Sequence, residues 1–215
     1  MPVAPERAPL AAEQANGGMA LLIIDMISAW DFPGAGKLAA AAAAIVPRIA
    51  ALKRRCVKAG VPAIFVNDNH GHWQSDFRQL VLRSMQKGDS PGRTIAESLR
   101  PGPDDYSVLK PKHSAFFATP LDLLLRHLGV KSLIVTGVAA DQCIVMSATD
   151  ARMRDYDVIV PADCVASQTA QRSRQALDYL RSAQRIKTTV SARIRLPARQ
   201  QGRRRRPGEA QKRAE

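Results

Sequence analysis

The sequence predicts an α/β fold built on a mainly parallel, six-stranded sheet covered by helices on both faces. Two observations carry this prediction. Short apolar runs alternate with stretches of helical periodicity along most of the chain, the pattern of βαβ units. Most of those runs also stop at a polar or turn residue, as strands of a parallel sheet do where they feed loops at one edge.

The first run, Met19-Ala20-Leu21-Leu22-Ile23-Ile24, ends at Asp25, and the second, residues 62–66, ends near Asn67 and Asp68. A weaker third run, 106–109, ends at Lys110, and the fourth, 132–136, stops at Gly137. The fifth, 158–160, ends near Asp163, and the sixth, 185–190, has the weakest pattern. Helical spacing of apolar residues predicts helices over 37–59, 76–86, 118–129, 141–154 and 168–182. Ser90-Pro91-Gly92 and Pro101-Gly102-Pro103 read as loops.

A chain of 215 residues with 46% hydrophobic content can bury one substantial core. The expected organisation is a flexible segment over 1–18, one domain over 19–196 and a basic, disordered tail over 197–215. No uninterrupted run of about 18 apolar residues occurs, so no membrane span is expected; the alanine-rich stretch 38–46 is expected to close at Pro47. Residues 1–18 lack the basic-then-apolar plan of a signal peptide. Cys56, Cys143 and Cys164 form no disulfide framework and suit a reducing cytoplasm, the expected location.

The net charge of +13 invites a nucleic-acid partner, but its distribution argues against one. From residue 197 onward, seven basic residues face Glu209 and Glu215, a net of +5 centred on Arg203-Arg204-Arg205-Arg206. No aromatic residue is interleaved with them, so base stacking has no support, and a solvated tail is the expected reading.

Candidate chemistry lies at the strand ends. Ligands of open parallel sheets bind beyond the carboxyl ends of the strands, where strand order reverses. Asp25, Lys110 and the segment Gly137 to Cys143 all stand at such ends, bringing an acid, an amine and a thiol to one edge. Asp141 is the expected N-cap of the helix over 141–154, which sets Cys143 in its first turn. Unpaired N–H groups there favour thiolate over thiol and converge on a nearby oxyanion. Cys56 and Cys164 read as inert packing.

Taken together, four segments resemble the isochorismatase-like cysteine hydrolases: Ala20-Leu21-Leu22-Ile23-Ile24-Asp25-Met26; Val66-Asn67-Asp68-Asn69 with Gly71 and Trp73; Val108-Leu109-Lys110 with Ser114-Ala115-Phe116; and Gly137-Val138 through Cys143. They span most of residues 19–190. The resemblance implies a three-layer α/β/α, Rossmann-like fold and an Asp–Lys–Cys triad of Asp25, Lys110 and Cys143. It also implies a cis peptide between Val138 and Ala139, aiming the N–H of Ala139, with that of Cys143, at one oxyanion.

In the implied mechanism Asp25 accepts the thiol proton, Lys110 favours the thiolate, and Cys143 attacks a carboxamide-type carbon to form a thioester, which water activated by Asp25 then cleaves. Retention of the cysteine favours C–N hydrolysis of a small amide, ureide or carbamoyl compound over cleavage of a vinyl ether. Expected pocket residues are Trp30, Asn69, Trp73, His113 and Phe116. Where the family often has Asn-Asp-Phe after the first aspartate, this chain has Ser28, Ala29 and Trp30, with Trp30 still able to form an aromatic wall.

Nicotinamidases of this family bind a divalent metal through an Asp-x-His pair and a further histidine, and Asp68-Asn69-His70 fits that pair. The neighbours Asn67, Gly71, Trp73 and Asp76-Phe77 match the metal-free subgroup instead, so no cofactor is expected. A metal-assisted nicotinamidase and a non-catalytic ligand-binding member are the alternative readings. The resemblance further implies a homo-oligomer.

Overall fold

The computed structural model describes residues 15–198 apart from residue 75 and residues 87–89; the segments 1–14 and 199–215, with the Arg203 to Arg206 block, lie outside the described residues. One sheet holds seven strands: β1 (Met19–Ile24), β2 (Ala63–Asp68), β3 (Tyr106–Lys110), β4 (Ser132–Val138), β5 (Asp157–Pro161), β6 (Val165–Ala166) and β7 (Lys187–Thr189). The order is β3-β2-β1-β4-β5-β7, with β6 on β4, and the pairings are parallel. β6 is the strand beyond the six expected. It takes over as the neighbour of Gly137 and Val138 after β5 has paired with Ser132 to Ile134.

Helices α1 (Ala35–Ala59), α2 (Phe77–Gln86) and α3 (Pro91–Ser98) cover one face, and α4 (Leu121–His127), α5 (Val145–Met153) and α6 (Ala170–Ser182) the other. The central strands are apolar on both sides. Leu21, Ile23, Phe65 and Ile134 pack with Leu38, Ile49, Leu52 and Ile95. Leu22, Ile24, Val66 and Val135 pack with Leu121, Leu125, Ala148 and Leu180. Each fully buried aliphatic or aromatic side chain contributes roughly 1.5–3 kcal/mol.

One expectation changes here. Ser90-Pro91-Gly92 starts α3 rather than a loop: the Ser90 hydroxyl accepts from the Arg93 N–H at 3.3 Å and Pro91 occupies the first helical position. α1 runs through Pro47 to Ala59, in keeping with the helical spacing over 37–59. Pro47 stands on the exposed face of the helix. With mean hydropathy 1.5 over 18 residues, α1 is long and apolar enough to cross a membrane by composition. Its stripe of Leu38, Ala42, Val46, Ile49, Leu52 and Cys56 packs on the sheet.

Residues 15–18, expected in the flexible N-terminal segment, form a tight turn: the Ala15 N–H donates to Leu128 O at 2.8 Å, and Asn16 Nδ2 donates to Ala59 O at 2.7 Å.

Cys56 and Cys164 are fully buried. Burial pushes both thiols up to about 12 from an ordinary 9.0, opposed at Cys56 by Arg55 and reinforced at Cys164 by Asp163. Unfolded thiols ionise near pH 9, whereas folded ones keep their protons to about 12. Above pH 9 the folded state therefore binds more protons, and this contribution to stability is lost as pH rises. The unfolding free energy is expected to fall from pH 9 upward by at most about 1.4 kcal/mol per pH unit per thiol, read by urea denaturation. Cys56→Ala should make that slope shallower, and an unchanged slope would contradict the assignment.

Candidate active site

The strand order reverses between β1 and β4, which run side by side from Met19↔Ser132 to Ile24↔Gly137. The chemistry gathers beyond their carboxyl ends, at the crevice such a reversal opens. β1 hands over to Asp25, whose φ of 53° is a left-handed conformation that aspartate tolerates better than most residues. β2 and β3 pair Asp68 with Lys110, and both side chains lie two residues beyond core residues Val66 and Val108, on the α4–α6 face. β4 leads through Gly137, the cis peptide Val138–Ala139 and a wide turn, Ala140–Ile144, into α5.

That turn corrects the expected helix over 141–154. The Ile144 N–H reaches Ala139 O at 3.1 Å, one residue further than in an α-helix, so Cys143 sits in a π-type turn ahead of α5. Asp141 is not its N-cap. Its carboxylate accepts from Ser167 Oγ at 2.6 Å and pairs with Arg172 Nε at 2.6 Å, tying the turn to the β6–α6 segment.

Asp25, Lys110 and Cys143 come together. Lys110 Nζ, on a fully buried side chain, lies 2.9 Å from Asp25 Oδ2 and 3.4 Å from Cys143 Sγ. It also donates to Lys112 O at 3.2 Å and to Asp68 Oδ2 at 3.4 Å. Burial works against this ammonium. Asp25, Cys143 and Asp68 outweigh burial and hold its pKa above the ordinary lysine value. Asp25 Oδ1 accepts from the Asp68 N–H at 2.8 Å, which fixes the carboxylate. The thiol at the helix start does not have the lowered pKa expected of it. Burial first, and then the Asp25 charge and hydrogen bond, push Cys143 up, with Lys110 opposing. The resting sulfur is therefore a thiol, with a base beside it.

Lys110→Met should be costly, because it leaves two carboxylates facing each other without their cation. Asp25 and Asp68 keep 17% and 27% side-chain exposure, which places the expected loss near the lower end of about 3–5 kcal/mol. Urea denaturation measures it; a loss below about 1 kcal/mol would contradict this role.

A cavity of about 270 Å³ opens over the sulfur. Trp30 and His113 line it, as expected, and so do Val138, Ala139 and Cys143. Ile27, Phe32 and Leu38 add apolar wall; Ser28, Asn67 and Gln142 add polar groups. Asn67 is buried: its Nδ2 donates to Ile27 O at 2.8 Å, and its Oδ1 has no hydrogen-bond partner among the described residues. Gly92 of α3 supports the wall from behind, because a Cβ there would lie 2.7 Å from Ser28 O and 2.9 Å from the Trp30 ring.

Three expected pocket residues are elsewhere. Phe116 is 5% exposed and stacks on Tyr156 in the α4–α6 core, with centroids 6.0 Å apart. Trp73 is 77% exposed and does not line the cavity. Asn69 borders a separate, smaller cavity with Ala29, Arg83 and Leu109. Strand-end position marked the groups that converge; loop side chains carried no signal of their direction.

The Asp-x-His pair is engaged by other groups of the protein. Asp68 Oδ2 faces Lys110, its Oδ1 accepts from the His70 N–H at 2.7 Å, and the His70 ring stacks on Phe32 at 5.8 Å. Asp68 Oδ1 and His70 Nδ1 are 4.0 Å apart, and no three acidic, histidine or cysteine side chains among the described residues converge on a metal position.

Comparison with known proteins agrees with this architecture. The isochorismatase domain profile matches residues 19–193. The isochorismatase family protein YaaI of Bacillus subtilis is 35% identical over 175 residues, which cover 81% of this chain and 95% of that one. The ureidoacrylate amidohydrolase RutB of Methylorubrum extorquens is 26% identical over 170 residues, covering 66% and 67% respectively. A solved isochorismatase family protein from Desulfovibrio vulgaris superposes with a TM-score of 0.65 at 30% identity, over 81% of this chain and 95% of that one. The chain belongs to the isochorismatase family of hydrolases.

Proposed function

We propose that this protein is a cysteine amidohydrolase that cleaves the C–N bond of a small amide, ureide or carbamoyl compound through a thioester on Cys143. The observation that carries the reading is the line of contacts from Asp25 through Lys110 to a sulfur at the cavity floor, at 2.9 Å and 3.4 Å. A protonated sulfur is a poor nucleophile, so attack requires a base in contact with it, and Asp25 fills that role. As the S–C bond forms, the thiol proton passes to Asp25. Lys110 stays charged and stabilises the sulfur as negative charge passes through it.

The N–H groups of Ala139 and Cys143, both at the cavity wall, are the proposed donors to the tetrahedral oxyanion. Asp25 then returns the proton to the leaving nitrogen as the C–N bond breaks. The RutB relative is by name an amidohydrolase, which supports a C–N substrate. The unpaired Oδ1 of Asn67 beside the cavity is a suitable acceptor for a substrate N–H.

The reaction is proposed to run without a metal, since Asp68 is engaged by Lys110 and no three acidic, histidine or cysteine side chains among the described residues group around a metal position. The test is ammonia release from a panel of small primary amides, ureides and carbamoyl compounds, with and without chelator. Release that is indifferent to chelator is expected. Release abolished by chelator and restored by added metal would replace this reading with the metal-assisted nicotinamidase, and release from none of the panel would count against amide hydrolysis.

A further inference from the structure

Asp25, Lys110 and His113 stand around the Cys143 sulfur, and only the first two have a role so far. The third is His113, whose Nδ1 lies 3.5 Å from Sγ. Its position differs from that of Asp25. Asp25 borders the same cavity but both its carboxylate oxygens are engaged, Oδ1 by the Asp68 N–H and Oδ2 by Lys110, and its side chain is only 17% exposed. His113 is exposed, stands in the loop after β3 and lines the cavity from the solvent side. Its loop is held by the Ala115 N–H on Ser147 Oγ at 2.9 Å and by Ser114 Oγ on Asp150 at 2.5 Å, both anchored on α5 next to the cysteine turn. The imidazole is therefore a basic group with contact to both the reacting atom and water.

We propose that His113 is a fourth catalytic residue, the base that activates water in the second half of the reaction. The proposal rests on the reading of Cys143 as the acyl-accepting nucleophile. Asp25 serves acylation, taking the thiol proton and returning it to the leaving nitrogen, and ends as a carboxylate. A water then enters beside the thioester. Its oxygen bonds to the acyl carbon while its proton passes to the His113 ring, which requires an unprotonated Nδ1. The C–S bond breaks, and the departing sulfur takes that proton from His113 across the same contact. Neutral imidazole, thiol and the carboxylic acid product result, so protons balance without help from Asp25. Burial, which pushes the Cys143 thiol up, makes the sulfur a good acceptor for the returning proton.

The test needs no knowledge of the natural substrate, because p-nitrophenyl acetate acylates an activated cysteine and reports acylation and deacylation separately. With the full chain, wild type should release a burst of nitrophenolate equal to the enzyme concentration, followed by steady turnover. His113→Ala should keep the burst, while steady turnover falls by about 10²-fold or more. The acetyl thioester should then accumulate on Cys143 in acid-quenched digests, and free imidazole should restore part of the turnover. A purely structural role would not produce that split between phases or the rescue. Unchanged turnover in His113→Ala, or equal loss of burst and steady state without accumulated thioester, would overturn the proposal and leave the nucleophile reading intact. A burst that survives in Cys143→Ala, or is missing from wild type, would overturn both.

Discussion

Replacing Cys143 with alanine is expected to lower amide turnover by about 10⁴-fold or more while leaving the fold in place. The two parts of this expectation have separate causes. Alanine has no atom to form the covalent intermediate, so everything that Asp25, Lys110 and the oxyanion donors contribute to acylation loses its object. The structural loss is small, because the substitution removes a single sulfur that borders a cavity, and the stability change should stay within about 1 kcal/mol. Ammonia release and a urea titration of the same preparation check both parts. Turnover within tenfold of wild type would remove Cys143 from the chemistry.

Gly137→Ala is expected to have the largest effect on folding. Gly137 has φ of +114°, a conformation L side chains rarely adopt, and it pairs with Ile24 at the carboxyl ends of β1 and β4. A Cβ there would lie 2.0 Å from Ile24 O and 2.9 Å from Ile24 N and C. These are backbone atoms of the central strand, so no rotamer change relieves the overlap. Either β1 and β4 separate or the cysteine turn shifts away from Asp25. The cost should exceed about 4 kcal/mol, enough to keep the variant from accumulating as folded protein. Soluble yield and thermal melting measure this. A variant that melts like wild type would show that the two strands can part without penalty.

The parts of the fold legible in the sequence are those where one residue type answers one physical demand. Buried parallel strands need continuous apolar runs, which made β1, β2 and β4 visible. A strand that ends on a charged or small residue announces its carboxyl edge, which placed Asp25, Lys110 and Gly137 together. What was not legible depends on tertiary contact. β6 is two residues long and has no period to detect. α3 opens with proline and glycine, residues that break a helix inside it yet suit its first turn.

Asp141 has the identity of an N-cap, but Arg172, far along the chain, claims its carboxylate. Asp68 looked like half of a metal pair, and only the β2–β3 register reveals it as a second anion on Lys110. Phe116 belongs to the matching Ser-Ala-Phe segment, yet its ring turns into the core against Tyr156.

The most direct test of the account is a chemical one: rapid acid quench of the enzyme during turnover of an accepted amide, followed by mass spectrometry of the cysteine peptides. The account predicts the acyl mass on the Cys143 peptide alone, with Cys56 and Cys164, fully buried and with thiols pushed up to about 12, carrying none. Sustained ammonia release with Cys143 unmodified at every quench time, in wild type and in His113→Ala alike, would contradict it.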